Sequence, residues 1–235
     1  MSTRAGAPRP VVAVTGLAVE ARIAAGPGVR AIAGSLPGLS AALERELAHG
    51  AGAIISFGIA GGLAEELACG TWIVARSIVT AEQRWPCDAA WVRVLAERLA
   101  GARTVDLAGV DAPVVSPAAK RTLCRTTAAA AVDTESHVAA AIAAAHGLPF
   151  AAFRVVADSA QRSLPPAAAV ALAADGTIKG AAVLGSLARA PAQLPSLLRT
   201  ALDTRAALRA LSRGRRLLGH GLGFADRDEL LFDVS

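Results

Sequence analysis

The chain has 235 residues, 54% of them hydrophobic but only 3% aromatic, which suits one sizeable domain with a core of Ala, Val, Leu and Ile. Its net charge of +5 comes almost wholly from arginine, which suits contacts with anions, yet it lacks the dense basic arm and stacking aromatics of a nucleic-acid binder. Cys69, Cys87 and Cys124 are odd in number and form no CxxC pair, which argues against a disulfide framework or a zinc site and fits a reducing cytoplasm.

Residues 1–9 lack the apolar run of a signal peptide and read as a disordered lead-in. Val11-Val-Ala-Val-Thr15 is a buried-strand pattern ending at Gly16. A helix is expected over 40–49, stopped by Gly50, and then a strand over 53–57 that runs into a loop, Gly58-Ile-Ala-Gly-Gly62. A strand over 71–80 and a helix over 88–100 follow, then an extended Val114-Val115 and a helix from Ser116 through Cys124. A short strand over 129–132, a helix over 135–145 and a strand over 149–156 come next. Residues 165–211 read as mostly helical, and 220–235 as a tail of uncertain structure. The uncharged stretches at 48–64 and 136–153 are broken by glycines and make poor membrane spans. Apolar strands alternating with helices predict an α/β sheet covered on both faces, in one domain over 10–219.

In such sheets ligands gather at the carboxyl ends of strands. The Gly58–Gly62 segment can bring backbone close to a ligand, although a tight turn explains an isolated Gly-rich run as well. Asp133-Thr-Glu135 reads either as a helix start or as a pocket carboxylate that accepts bonds from sugar hydroxyls. Asp158 ends an apolar strand, where a buried carboxyl can keep a proton; an ordinary turn aspartate is the alternative. Glu20 by itself reads as an exposed helix carboxylate beside Arg22.

Together these segments resemble the purine nucleoside phosphorylase and methylthioadenosine/S-adenosylhomocysteine nucleosidase superfamily. The matching features are Gly58-Ile-Ala-Gly-Gly62, the Glu135 helix start, and the strand from Pro149-Phe150 to Arg154-Val-Val-Ala-Asp158. Within it, Arg84-Trp-Pro, Asp88-Ala-Ala-Trp91, Glu135-Ser-His137, His146-Gly-Leu-Pro-Phe150, Leu164-Pro-Pro and Arg189-Ala-Pro-Ala-Gln-Leu-Pro195 are similar to the hopanoid-associated nucleoside phosphorylases.

The resemblance implies a three-layer sandwich, with a central mixed, largely parallel sheet between helices. It implies a homo-oligomer and cleavage of the N-glycosidic bond of adenosylhopane, a purine nucleoside with a lipid tail. Asp158 would be the acid at the purine, and Glu135 with Thr134 would hold the ribose. Gly58, Ile59, Ala60 and Gly61 would line the sugar and nucleophile, and Val114 would touch the base. Thr134 stands where the superfamily commonly has methionine. The resemblance implies phosphorolysis, with inorganic phosphate as co-substrate held by Gly16 and Arg22, although Glu20 matches the nucleosidases' water-orienting glutamate. No other cofactor and no metal is implied. A nucleosidase using water, and a non-catalytic nucleoside- or lipid-binding protein, are the alternatives.

Arg205, Arg209, Arg213 and Arg216 would form one basic stripe on a helix continued through Gly214. It reads as the solvated face of a peripheral helix, with contact to an anionic inner-membrane surface as the functional alternative.

Overall fold

The computed structural model describes residues 9–166, 175–177 and 179–224. The first apolar run forms β1 (Val11–Thr15), which pairs in parallel with β2 (Val29–Ala33) and β3 (Ala53–Gly62). Helix α1 (Ala18–Ala24) joins β1 to β2, and α2 (Leu36–Leu47) joins β2 to β3. The chain continues through β4 (Trp72–Val79), β5 (Arg84–Pro86), α3 (Ala89–Arg98), β6 (Arg103–Gly109) and α4 (Pro117–Thr127). Next come β7 (Ala131–Asp133), α5 (Ser136–Ala145) and β8 (Phe150–Asp158). Two further helices are described, α6 (Gly180–Arg189) and the long α7 (Leu194–Leu218).

This is the expected single-domain α/β fold, a mixed and largely parallel sheet flanked by helices. The strand order is β2-β1-β3-β7-β6-β4-β5, and β8 pairs with both β3 and β4. That double pairing closes a ring, β3-β7-β6-β4-β8, which draws several strand ends toward one rim. Alternation along the strands divides the core. Val11, Ala13, Ile55, Phe57, Phe153 and Val155 pack with α3 and α7, while Val12, Val14, Ile54, Ala152 and Val156 pack with α2 and α5.

Three strands were not anticipated. β2 and β6 carry polar residues that break the apolar pattern, and β5 is three residues long. Asp106 shows why β6 escapes the pattern: it is buried in the strand, where Ser77 and Arg84 donate to it at 2.9 and 2.8 Å. The expected Gly58–Gly62 loop is also corrected, because β3 runs straight through it. Pairing with β8 and β7 carries these glycines as strand, with a register shift between Ala60 and Gly61.

The helix starts conform better. Asp88 accepts from Trp91 N at 2.9 Å, and Ser116 accepts from Ala119 N at 3.2 Å. Part of the expected tail is ordered against the core: Trp91 Nε1 donates to Leu222 O at 3.0 Å, and Leu222 is buried. Residues 1–8 of the lead-in, 225–235 of the tail, and 167–174 and 178 of the helical region lie outside the described residues.

Candidate active site

The ends of β1, β3, β7 and β8 open into one cleft of about 670 Å³. Glu20 enters it from the first turn of α1, Glu135 from the start of α5, and Asp158 from the end of β8. Gly16, Ile59, Ala60, Gly61, Val114 and Thr134 also line it. Its outer walls are apolar, with Val110, Leu164, Val183, Leu197, Ala201 and Leu208 contributing.

Two glycines make this convergence possible. A Cβ on Gly16 would stand 2.6 Å from Glu135 Oε1, and one on Gly58 would stand 2.7 Å from both Glu20 Oε1 and Arg154 Nη1. Gly58 therefore acts from behind the wall rather than in it. Arg22 is exposed and absent from the lining of the cleft. Two residues along a helix is a turn of about 200°, so Arg22 points away where Glu20 points in.

Arg154 is the hub beneath the cleft. It is fully buried in β8, with Nε 2.7 Å from Asp133 Oδ2 and Nη2 3.3 Å from Glu135 Oε2. The same Nη2 donates to Ser56 Oγ, and Nη1 donates to Ile59 O at 3.3 Å. Asp133 in turn caps α5 by accepting from Ser136 N at 2.9 Å. One guanidinium thus serves Asp133 and Glu135 directly and Glu20 at longer range.

Burial governs the ionisation of these carboxyls, and Arg154 opposes it. Burial pushes Glu20 up to about 7, opposed by Arg154 and reinforced by Glu135. Burial likewise raises Glu135, against the pull of Arg154. Thr134 Oγ1 donates to Glu135 Oε1 at 2.5 Å and steadies that carboxyl. Glu20 Oε2 accepts from Gly16 N at 3.1 Å and Leu17 N at 2.8 Å, while Oε1 accepts from Ile59 N at 2.8 Å. A carboxylate offers about four lone-pair directions, so one remains for a ligand in the cleft.

Asp158 has a partner that the sequence did not disclose. Lys120, fully buried on α4, forms an ion pair with Asp158 Oδ2 and donates to Ser159 O at 2.8 Å and Arg162 O at 3.2 Å. Burial raises the Asp158 carboxyl and Lys120 pulls it back. A lysine within a polar helix sequence looks like any solvated one; only the fold turns it inward. Lys120→Met should therefore raise the Asp158 pKa further, as read by carbon-13 NMR of that carboxyl. It should cost about 3–5 kcal/mol in urea unfolding, since it removes one partner of a buried ion pair and leaves two carbonyls without their donor. An Asp158 pKa unmoved by the change would contradict the coupling.

His137 lies outside this site, its Nε2 3.1 Å from Asp111 Oδ1. Arg154 and Asp133 were visible in the motifs, but their joint role rests on the pairing of β8 with β3 and of β3 with β7.

Residues 7–200 match the Phosphorylase superfamily. The chain belongs to that superfamily. No protein of curated function matches it in sequence. Solved structures of the same fold include a variant of the Helicobacter pylori methylthioadenosine nucleosidase with 5′-methylthioadenosine in its active site. That structure has 13% identity and a TM-score of 0.61, with 88% of this chain and 98% of that one covered. The Streptococcus pyogenes S-adenosylhomocysteine nucleosidase has 16% identity and a TM-score of 0.61, over 85% and 98% of the two chains. The futalosine hydrolase of Helicobacter pylori has 13% identity and a TM-score of 0.61, over 88% and 97%. At such identities the likeness shows the fold.

Proposed function

We propose that this superfamily member is a nucleosidase that uses water to cleave the N-glycosidic bond of an adenosine with a bulky apolar 5′ substituent. The observation that carries this reading is Glu20: a buried carboxyl in the cleft, anchored by three backbone N–H groups, with a pKa of about 7. Ionised, it can take a proton from water as the bond to the base breaks. Glu135 accepts the ribose hydroxyls and offsets the positive charge that develops on the sugar. Asp158, its carboxyl raised by burial, gives the departing purine a proton from its protonated form, and the Lys120 ammonium pairs with the carboxylate left behind.

The apolar outer walls supply room for a 5′ group, and adenosylhopane is the substrate that the sequence resemblance suggests. Phosphorolysis is the runner-up. It lacks support from the cleft, because Arg154 is engaged by Asp133, Glu135 and Ser56, and Arg22 is exposed. A dianionic phosphate would also meet Glu20 and Glu135. A binding protein without catalysis would have little use for Glu20, Glu135 and Asp158 around one cleft.

The test is adenine release from adenosylhopane, methylthioadenosine and adenosine, with and without phosphate. Release without phosphate, yielding the free sugar, is expected. Strict dependence on phosphate would overturn hydrolysis. The rate should also fall as pH drops through about 7, where the Glu20 cluster takes up its proton. Glu20→Gln should remove that acid limb along with most of the activity.

A further inference from the structure

The exposed face of α7 has two halves. Leu194, Leu198 and Leu202 are 46%, 57% and 66% exposed, unusual for leucine on a long helix. Arg205, Arg209, Arg213 and Arg216, all exposed, continue the same face. At 100° per residue the seven positions fall within one arc of roughly 100°. The opposite face, including Ala207, Ala210, Leu211, Gly214 and Leu218, is buried on the sheet. None of the four arginines makes an ion pair or hydrogen bond among the described residues.

Two observations say what this face meets. The first is charge. Besides Arg215, which bonds inward to Ala24 O, the segment from Gly176 to Phe224 also carries Lys179, Arg189 and Arg199, while its one acidic residue, Asp203, is paired with Arg162. Such a face is complementary to an anionic surface. In a twofold contact between two copies the arginine stripe would approach its own twin. The second is position. Leu197, Leu198, Ala201 and Arg205 line the cleft, so the leucine half of the stripe borders its mouth. Val183 on α6 lines it too, and its neighbour Leu184 is 69% exposed.

The geometry points to the exposed face of α7 as a docking surface for an anionic lipid bilayer, with the cleft opening at its leucine end. The leucines enter the acyl boundary while the arginines lie on the headgroups. An amphiphilic nucleoside would then pass from bilayer to cleft along an apolar path. This last step rests on the proposed function; the docking does not.

The experiment is co-sedimentation with vesicles of phosphatidylcholine alone or mixed with phosphatidylglycerol. Three proteins are compared: the wild type, Arg209→Gln/Arg213→Gln/Arg216→Gln, and Leu194→Ser/Leu202→Ser. None of these positions lines the cleft. Wild type should bind the mixed vesicles and leave them in high salt. Each variant should bind at least about tenfold more weakly, in line with the loss of surface cations or inserted side chains. Adenine release from water-soluble methylthioadenosine should be the same for all three, which separates failure of docking from failure of the proposed chemistry. Equal binding to both vesicle types, or no binding, would overturn the proposal. So would a dimer in size-exclusion chromatography that the leucine variant dissociates, because the face would then belong to a second copy of the chain.

Discussion

Replacing Asp158 with asparagine is expected to lower turnover by about 10²–10⁴-fold, the usual loss for a positioned general acid. Asparagine matches the side chain in size and still accepts a bond from Lys120, but it has no proton to pass to the purine. The structure adds a consequence that the sequence did not suggest. Asparagine carries no charge to balance the Lys120 ammonium, which is buried and donates only to Ser159 O and Arg162 O besides. Stability should therefore fall together with activity. The double variant Asp158→Asn/Lys120→Met separates the two effects. It removes the unbalanced charge, so its urea midpoint should recover part of the loss while its turnover stays low. Turnover that recovers with stability would mean that Asp158 supports the fold and is not the acid.

The contrast between Asp158 and Lys120 marks what could be read from the chain. Asp158 ends a long apolar strand, and a carboxylate in that place stands out. Lys120 lies on α4 among Arg121, Thr122 and Arg125, and its burial is settled by contacts made only after β8 returns to the rim. The same holds for the glycines of β3. Three glycines in five residues look like a loop, and only pairing with β8 and β7 makes them strand. Arg22 failed in the opposite direction. It stands two residues from Glu20 in sequence, but the helix period separates the two side chains. The strands that were legible were those buried on both faces, β1, β3, β4 and β8, where an unbroken apolar run is itself the signal.

Replacing Arg154 with methionine should destabilise the protein by about 3–5 kcal/mol, the usual cost of removing one partner from a buried ion pair. A domain of ordinary stability has about 5–15 kcal/mol in all. Arg154 is a severe case, since it faces Asp133, Glu135 and Glu20, all buried. Methionine fills much of the space and fits a strand, so the loss reports on charge more than on packing. The pH dependence gives the sharper test. Without the guanidinium, the folded-state pKa values of Glu20 and Glu135 rise further above their unfolded values. A carboxyl raised in this way favours the folded state at low pH and loses that contribution as pH climbs through the folded pKa. In the wild type this already holds for Glu20, between its ordinary 4.5 and about 7. In the variant the window should extend to higher pH for Glu20 and Glu135. Urea unfolding at mildly acidic and mildly alkaline pH should therefore show a modest deficit in acid that widens in base. A deficit of the same size at both would mean that Arg154 matters through its packing and its bonds to Ser56 and Ile59, and that the carboxylates do not depend on its charge.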